Sequence, residues 1–361
     1  MNVLNIVIVF FAMLGAIDRI LNNRFGIGKE FERGFELFGG LALSMIGMIV
    51  MVPFLANLMQ PALTAIYNVF GIDPSLLPTL LIANDQGGAK LAMEVTKNAD
   101  IGMFNGLVVS CMMGGTICFT IPFSLTSVPK EKHKELLLGM LCGITTIPVG
   151  CLAGGIVAGL PFGALIINLL PLIVFSAIIA VGLALCPNVC ARIFNVLGII
   201  IKILITVGLA LSILRYFTGI ELIKGLTPLE EAAEAPLICT FYLTGVLPFL
   251  SILSRLIAKP MRKLGKKLEV NEQSVLGFVS TLANSITTFA VMEKMDPKGL
   301  LLNAAFSISA AFVFSDHLAF TMSFNPDYVG IVIFAKLVSA LTSLVVGVML
   351  YNKMYKGKKE A

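Results

Sequence analysis

Asn84, Asp85 and Gln86 stand together, followed by Gly87 and Gly88, in the stretch ANDQGGAKLAMEV of an otherwise strongly apolar chain. A carboxylate, two amides and two glycines are the makings of a polar locus, and a second such group lies far along the sequence. It is ANSITT, which carries Asn284, Ser285, Thr287 and Thr288. The third group is Asp316-His317, in FVFSDHLAF. Ionisable residues inside apolar helices are rare and are functional candidates by default, here for a substrate or a proton. Asn303 and Ser307, four residues apart, would line one helix face beside them.

Each group has a plainer reading. Asp85 and Ser285 are good N-cap types for helices starting at those points, and Gly87-Gly88 could serve only close packing. Asn303 and Ser307 could be interhelical glue. Lys90 and Glu94, also four apart, read as a structural pair, and His133 lies in a charged loop. Catalytic signatures such as H-E-x-x-H, G-x-S-x-G and the phosphate-cradling G-x-x-x-x-G-K-[ST] are absent, so no catalytic residue and no enzyme activity are expected. The seven cysteines are odd in number, form no C-x-x-C and fall mostly in apolar runs, as small packing residues do. No metal and no cofactor are expected.

The elements that must position these groups follow from composition. Of 361 residues, 57% are apolar and 13% charged, where soluble domains carry about a quarter charged. Apolar runs long enough to cross a bilayer recur at 3–17, 37–58, 101–125, 136–160, 164–186, 196–214, 236–253, 300–324 and 329–350. The first has no basic residues before it and no cleavage motif after it, so it reads as a retained helix. A weak repeat runs through the chain: VPFLANLMQP matches LPFLSILSRLIAKP, and LLIANDQGGAKLAMEV matches VSTLANSITTFAVMEK. Asn84 then falls on Asn284, and Asn105 on Asn303.

Basic residues orient the segments, because short cytoplasmic loops carry the excess of Lys and Arg. If every apolar segment crosses, 13 basic residues fall inside and 10 outside. If 74–98 and 272–295 each enter and leave on one side, 20 fall inside and 3 outside. The second solution is preferred. It makes 74–83 and 272–283 first half-helices, about 15–18 Å long at 1.5 Å per residue, with 86–98 and 286–295 returning. The expected fold is an all-α polytopic membrane protein with about nine transmembrane helices, two re-entrant helical hairpins and inverted repeats. Residues 1–160 form the first repeat, 161–187 a connecting helix and 188–361 the second repeat. The N-terminus lies outside and the C-terminus in the cytoplasm. Inverted repeats with broken helices meeting near the midplane are characteristic of secondary transporters. Helix 8 is expected to run unbroken over 300–324, with Asp316 about 12 Å from its outer end.

At ANDQGGAKLAMEV and FSDHLAF the sequence resembles the ethanolamine utilisation permease family (EutH), over most of its length. The resemblance implies a bacterial inner-membrane importer of ethanolamine, expected to work by alternating access or facilitated diffusion around the two facing tips. It assigns no ligand contacts, so the site residues come from the sequence reading alone. A small cation with one hydroxyl calls for a carboxylate, free carbonyls or an aromatic face, and an amide or hydroxyl. Asp85 and Asp316 are the carboxylates, and the carbonyls ending the first half-helices, near Ala83 and Ala283, are expected to be free. With no Trp, any cation–π wall must be Phe or Tyr. Rival readings are an importer of an amino acid or carboxylate and a non-transporting membrane scaffold. The expected partners are ethanolamine and the lipid bilayer, with no nucleic acid; homo-oligomerisation and ion coupling are left open.

Overall fold

The computed structural model describes residues 3–356, and every regular element among them is helical. Helix α1 (Val3–Ile20) ends where Asn22 and Asn23 both turn left-handed, φ 59° each. Asp18, near the end of α1, is buried. Its carboxylate accepts the backbone N–H groups of Phe25, Ile27 and Gly28 and so folds the chain into α2 (Gly28–Glu36). The 33-residue α3 (Phe38–Phe70) tolerates Pro53 and Pro61 and stops at left-handed Gly71, φ 67°.

After the short α4 (Leu76–Leu81) and α5 (Ala89–Val95), α6 (Ala99–Phe104) opens a continuous helical rod. The rod widens to π-helical backbone over Asn105–Gly114 and Thr116–Thr120 and closes as α7 (Ile121–Ser127). Four long helices follow: α8 (His133–Val157), α9 (Phe162–Leu185), α10 (Pro187–Thr218) and α11 (Leu229–Leu268). The chain ends in α12 (Glu272–Ala283), α13 (Ser285–Val291), α14 (Pro297–Ala310), α15 (Asp316–Phe324) and α16 (Val329–Tyr351). Seven helical stretches among the described residues are long and apolar enough to cross a membrane. The protein is a multi-pass membrane protein.

The tightest packing joins α8, α14 and α16. Gly139 and Gly143 of α8 lie against Leu301, Ala305 and Ile308 of α14, while Gly150 and Gly154 lie against Ala335 of α16. Small residues let these backbones approach, and in lipid that close packing replaces the hydrophobic drive between helices. Apolar side chains of α9 and α10 remain outward, among them Ile173, Val174, Ile199 and Ile203.

Both segments expected to fold back on themselves have their two ends tied together. Asp73 accepts from the Thr96 hydroxyl at 2.9 Å and from the Lys97 and Asn98 N–H groups at 3.1 and 3.2 Å. At the other segment, the Asn271 N–H donates to Asp296 Oδ1 at 2.8 Å and its amide donates to Lys294 O at 2.9 Å. The clasps share further bonds. Asp73 and Asn271 each accept from the next serine along, Ser75 and Ser274. Asn98 and Asp296 each cap the following helix. Asn105 donates to Ser75, and Asn303 to the Ser274 carbonyl. These pairs recur at one constant offset, 73 to 271, 98 to 296 and 105 to 303. Only the acid changes legs, from Asp73 on the entering strand of the first clasp to Asp296 on the leaving strand of the second.

Helix 8 is not continuous. The chain unwinds between Ala310 and Asp316, with Phe312 left-handed at φ 60°. The break holds because its N–H groups find other acceptors: Phe312 donates to Thr281 O at 3.2 Å and Phe314 to Leu282 O at 3.0 Å. The Ser315 hydroxyl donates to Ala283 O. The end of α12 thus takes the place of the missing helical turn.

Candidate functional site

A cavity of about 400 Å³ lies between the two hairpin tips. The first tip brings Asp85 and Gln86, the second Asn284 and Ile286, and the first turn of α15 brings Asp316 and His317. Cys111, Gly115 and Phe119 of the rod and Phe312 of the break complete the wall. The break is what puts Asp316 here. An unbroken helix 8 would carry it toward the outer end, whereas the structure makes it the first residue of a new helix, where a carboxylate meets the favourable end of the dipole. A second cavity of about 350 Å³ adjoins, sharing Leu37, Asn284 and Asp316. It runs past Thr287 toward Glu30 and Arg33 of α2 and Ser254 of α11.

The tips carry unmet hydrogen-bonding capacity. Asn84 is fully buried, and neither its Oδ1 nor its Nδ2 has a partner in the protein; Asp85 Oδ1 and the Ser285 hydroxyl are in the same state. Each such group costs about 1–3 kcal/mol when left unmade. This marks the tips as places for a polar ligand or water.

The expected capping roles fall elsewhere. The N-cap of α13 is Asn284, whose Oδ1 accepts the Ile286 N–H at 2.8 Å, rather than Ser285. At the first tip the helix begins later than expected, at Ala89. The N-cap positions are Ala83 and Gly88, and Asp85 occupies neither. Gly87, left-handed at φ 93°, turns the tip, and Asp85 borders the cavity.

The carbonyls ending the first arms are likewise not free. Ile82 O accepts from the Ser110 hydroxyl, Ala83 O from the Gly88 N–H at 2.9 Å, and Ala283 O from Ser315. Polar groups offered to the cavity at the tips therefore come from side chains. Asn84, Gly87, Gly88, Ser285, Thr288 and Asn303 do not border the cavity. Gly88 packs on Ser110. Thr288 bonds inside its own hairpin to Thr281 at 2.9 Å and Gly277 O at 3.0 Å. Asn303 holds the second clasp. Lys90 places its ammonium over the Phe324 ring, 5.8 Å from the centroid, rather than across to Glu94.

One buried ionisable residue beside the cavity went unassigned from sequence. Lys336, fully buried in α16, donates or accepts at 2.9 Å with His317 Nδ1, and its ammonium lies 3.5 Å from Cys111 O. Its charge and that of Asp85 are within electrostatic reach of each other. A lone lysine in an apolar helix obeys the same rule that singled out Asp316.

The comparisons with known proteins add the family. A family described as "Ethanolamine utilisation protein, EutH" matches residues 1–350. The chain belongs to the EutH family. A relative from Listeria monocytogenes serotype 1/2a (strain 10403S), named "Probable ethanolamine permease EutH", is 41% identical over 351 residues, covering 97% of this chain and 94% of that protein. A Salmonella typhimurium relative of the same name is 34% identical and covers 96% and 94%. YxeR of Bacillus subtilis (strain 168), named an uncharacterized protein, is 35% identical and covers 92% and 90%. No solved structure matches this EutH-family chain.

Proposed function

We propose that this chain imports ethanolamine across the bacterial cytoplasmic membrane by alternating access around the two hairpin tips. In this reading it has nine crossings and an outside N-terminus. The observation that carries it is one cavity bordered by both tips and holding two carboxylates, Asp85 and Asp316. Ethanolamine is an ammonium ion at neutral pH with a hydroxyl two carbons away. A carboxylate takes the ammonium, the Gln86 or Asn284 amide takes the hydroxyl, and Phe119 and Phe312 supply an aromatic wall in a chain without Trp.

The clasps and their constant offset support a duplicated hairpin unit. The charge count supports placing the two copies in opposite orientation. In that orientation the adjoining cavity leads toward the basic, cytoplasmic end, so the described state is inward-facing. Rocking of one unit against the other would then expose the same tips to the opposite side.

The test is uptake of labelled ethanolamine into proteoliposomes. Asp85→Asn and Asp316→Asn are each expected to cut protein-dependent uptake at least tenfold at equal expression; undiminished uptake by Asp85→Asn removes that residue from the site. Amino acids or carboxylates that compete better than ethanolamine would reassign the substrate. Wild-type uptake no faster than in protein-free vesicles would favour a scaffold.

A further inference from the structure

Burying a lysine with no solvent contact is costly, and the cost is tolerated where the ammonium has a partner or a task. Lys336 has an imidazole at 2.9 Å and, among the described residues, no carboxylate within ion-pair distance. The imidazole is placed between two environments. Its Nδ1 meets Lys336, while its other edge lines the cavity, beside Gly115 and Phe312. A histidine so placed can pass a proton through its ring: Nδ1 takes the proton from Nζ as Nε2 releases its own to cavity water.

The groups facing this pair come from every neighbouring element. They are Asp85 of the first tip, the Cys111 thiol of the rod with Cys151 of α8 behind it, and Asp316 of α15. Arg33 of α2 acts on Asp316 from the adjoining cavity. Asp85 is the group shared by both functions, since it lines the substrate cavity and feels the charge of Lys336.

We propose that Lys336, reached through His317, is a proton site that competes electrostatically with the substrate cation for Asp85, so that one proton leaves for each ethanolammonium that enters. This rests on the transport reading given above. Facing outward, ethanolammonium settles at Asp85, and Lys336 gives its proton through His317 to the outer water. The loaded protein turns inward and releases the cation. Lys336 then takes a proton from the cytoplasm by the same ring, and Asp85 keeps a positive neighbour on the return. One positive charge moves in and one moves out, so the cycle is electrically neutral.

The experiment records charge movement by the full-length protein reconstituted on a supported membrane, beside labelled uptake in matched vesicles corrected for protein-free ones. Wild type is expected to take up ethanolamine with no sustained current. Lys336→Met removes the exchanged proton and is expected to turn residual uptake electrogenic and responsive to an inside-negative potential. Lys336→Arg cannot release its proton, and is expected to lose uptake at least tenfold while remaining folded by gel filtration. Wild-type uptake accompanied by a current matching one charge per substrate overturns the exchange and leaves the transport reading standing. Absence of protein-dependent uptake overturns both. A wild-type current overturns the exchange even if both variants misfold, and the Lys336 variants separate exchange from carriage of the uncharged amine.

Discussion

A single methyl group separates two glycines near the cavity. A Cβ on Gly88 would run into the Ser110 hydroxyl and stand 2.5 Å from Ile82 O and 2.7 Å from Ala83 O, atoms fixed by their own hydrogen bonds. Gly88→Ala is therefore expected to cost about 1–3 kcal/mol, read as a lower unfolding temperature in detergent. A Cβ on Gly115 would meet only the His317 ring, Cε1 at 3.6 Å and Nε2 at 3.9 Å. Gly115→Ala should leave the unfolding temperature unchanged within error, and a fall like that of Gly88→Ala would contradict the packing described. Residue type alone made Asp85, Asp316 and His317 legible, because charge in an apolar helix is conspicuous. Type could not sort Asn284 from Ser285 or Thr287 from Thr288. Neighbouring polar residues on a helix differ only in direction, and direction depends on where the helix begins.

At the scale of elements, the two clasps do with one carboxylate each what a membrane segment must do somehow, which is to satisfy backbone N–H groups at an irregular junction. Asp73→Asn leaves one oxygen for N–H and hydroxyl donors that now share two, and is expected to cost about 1–3 kcal/mol. The arrangement of the second clasp suggests the repair. Adding Asn98→Asp moves the acid to the leaving strand, where Asp296 stands, and should recover part of the lost unfolding temperature. A strictly additive loss in the double variant would mean the two clasps are not interchangeable. The two polar stretches themselves could be anticipated, since they interrupt apolar runs. The break in helix 8 could not. The stretch AFVFS holds neither Gly nor Pro, and it unwinds because the end of α12 offers it carbonyls.

For the whole molecule, the orientation of the clasps is the sharpest consequence of the charge count. Lys97 is exposed beside the first clasp, and Lys263 is exposed near the second. In a background lacking the exposed Cys186, Lys97→Cys should react with an impermeant thiol reagent added outside intact cells, and Lys263→Cys only after the membrane is opened. Labelling of both from one side would overturn the inverted arrangement. Sequence by itself determined the membrane class, the family and the two polar stretches that become tips. Hydropathy, charge bias and string similarity are sums over local residues, so no contact need be known to read them. Only the tertiary structure decided that Asp316 reaches the cavity, that the arm-end carbonyls are already taken, and that Lys336 meets His317. These depend on how elements pack together and which polar groups a neighbour leaves for its partner to satisfy, which no local sum over residues reports.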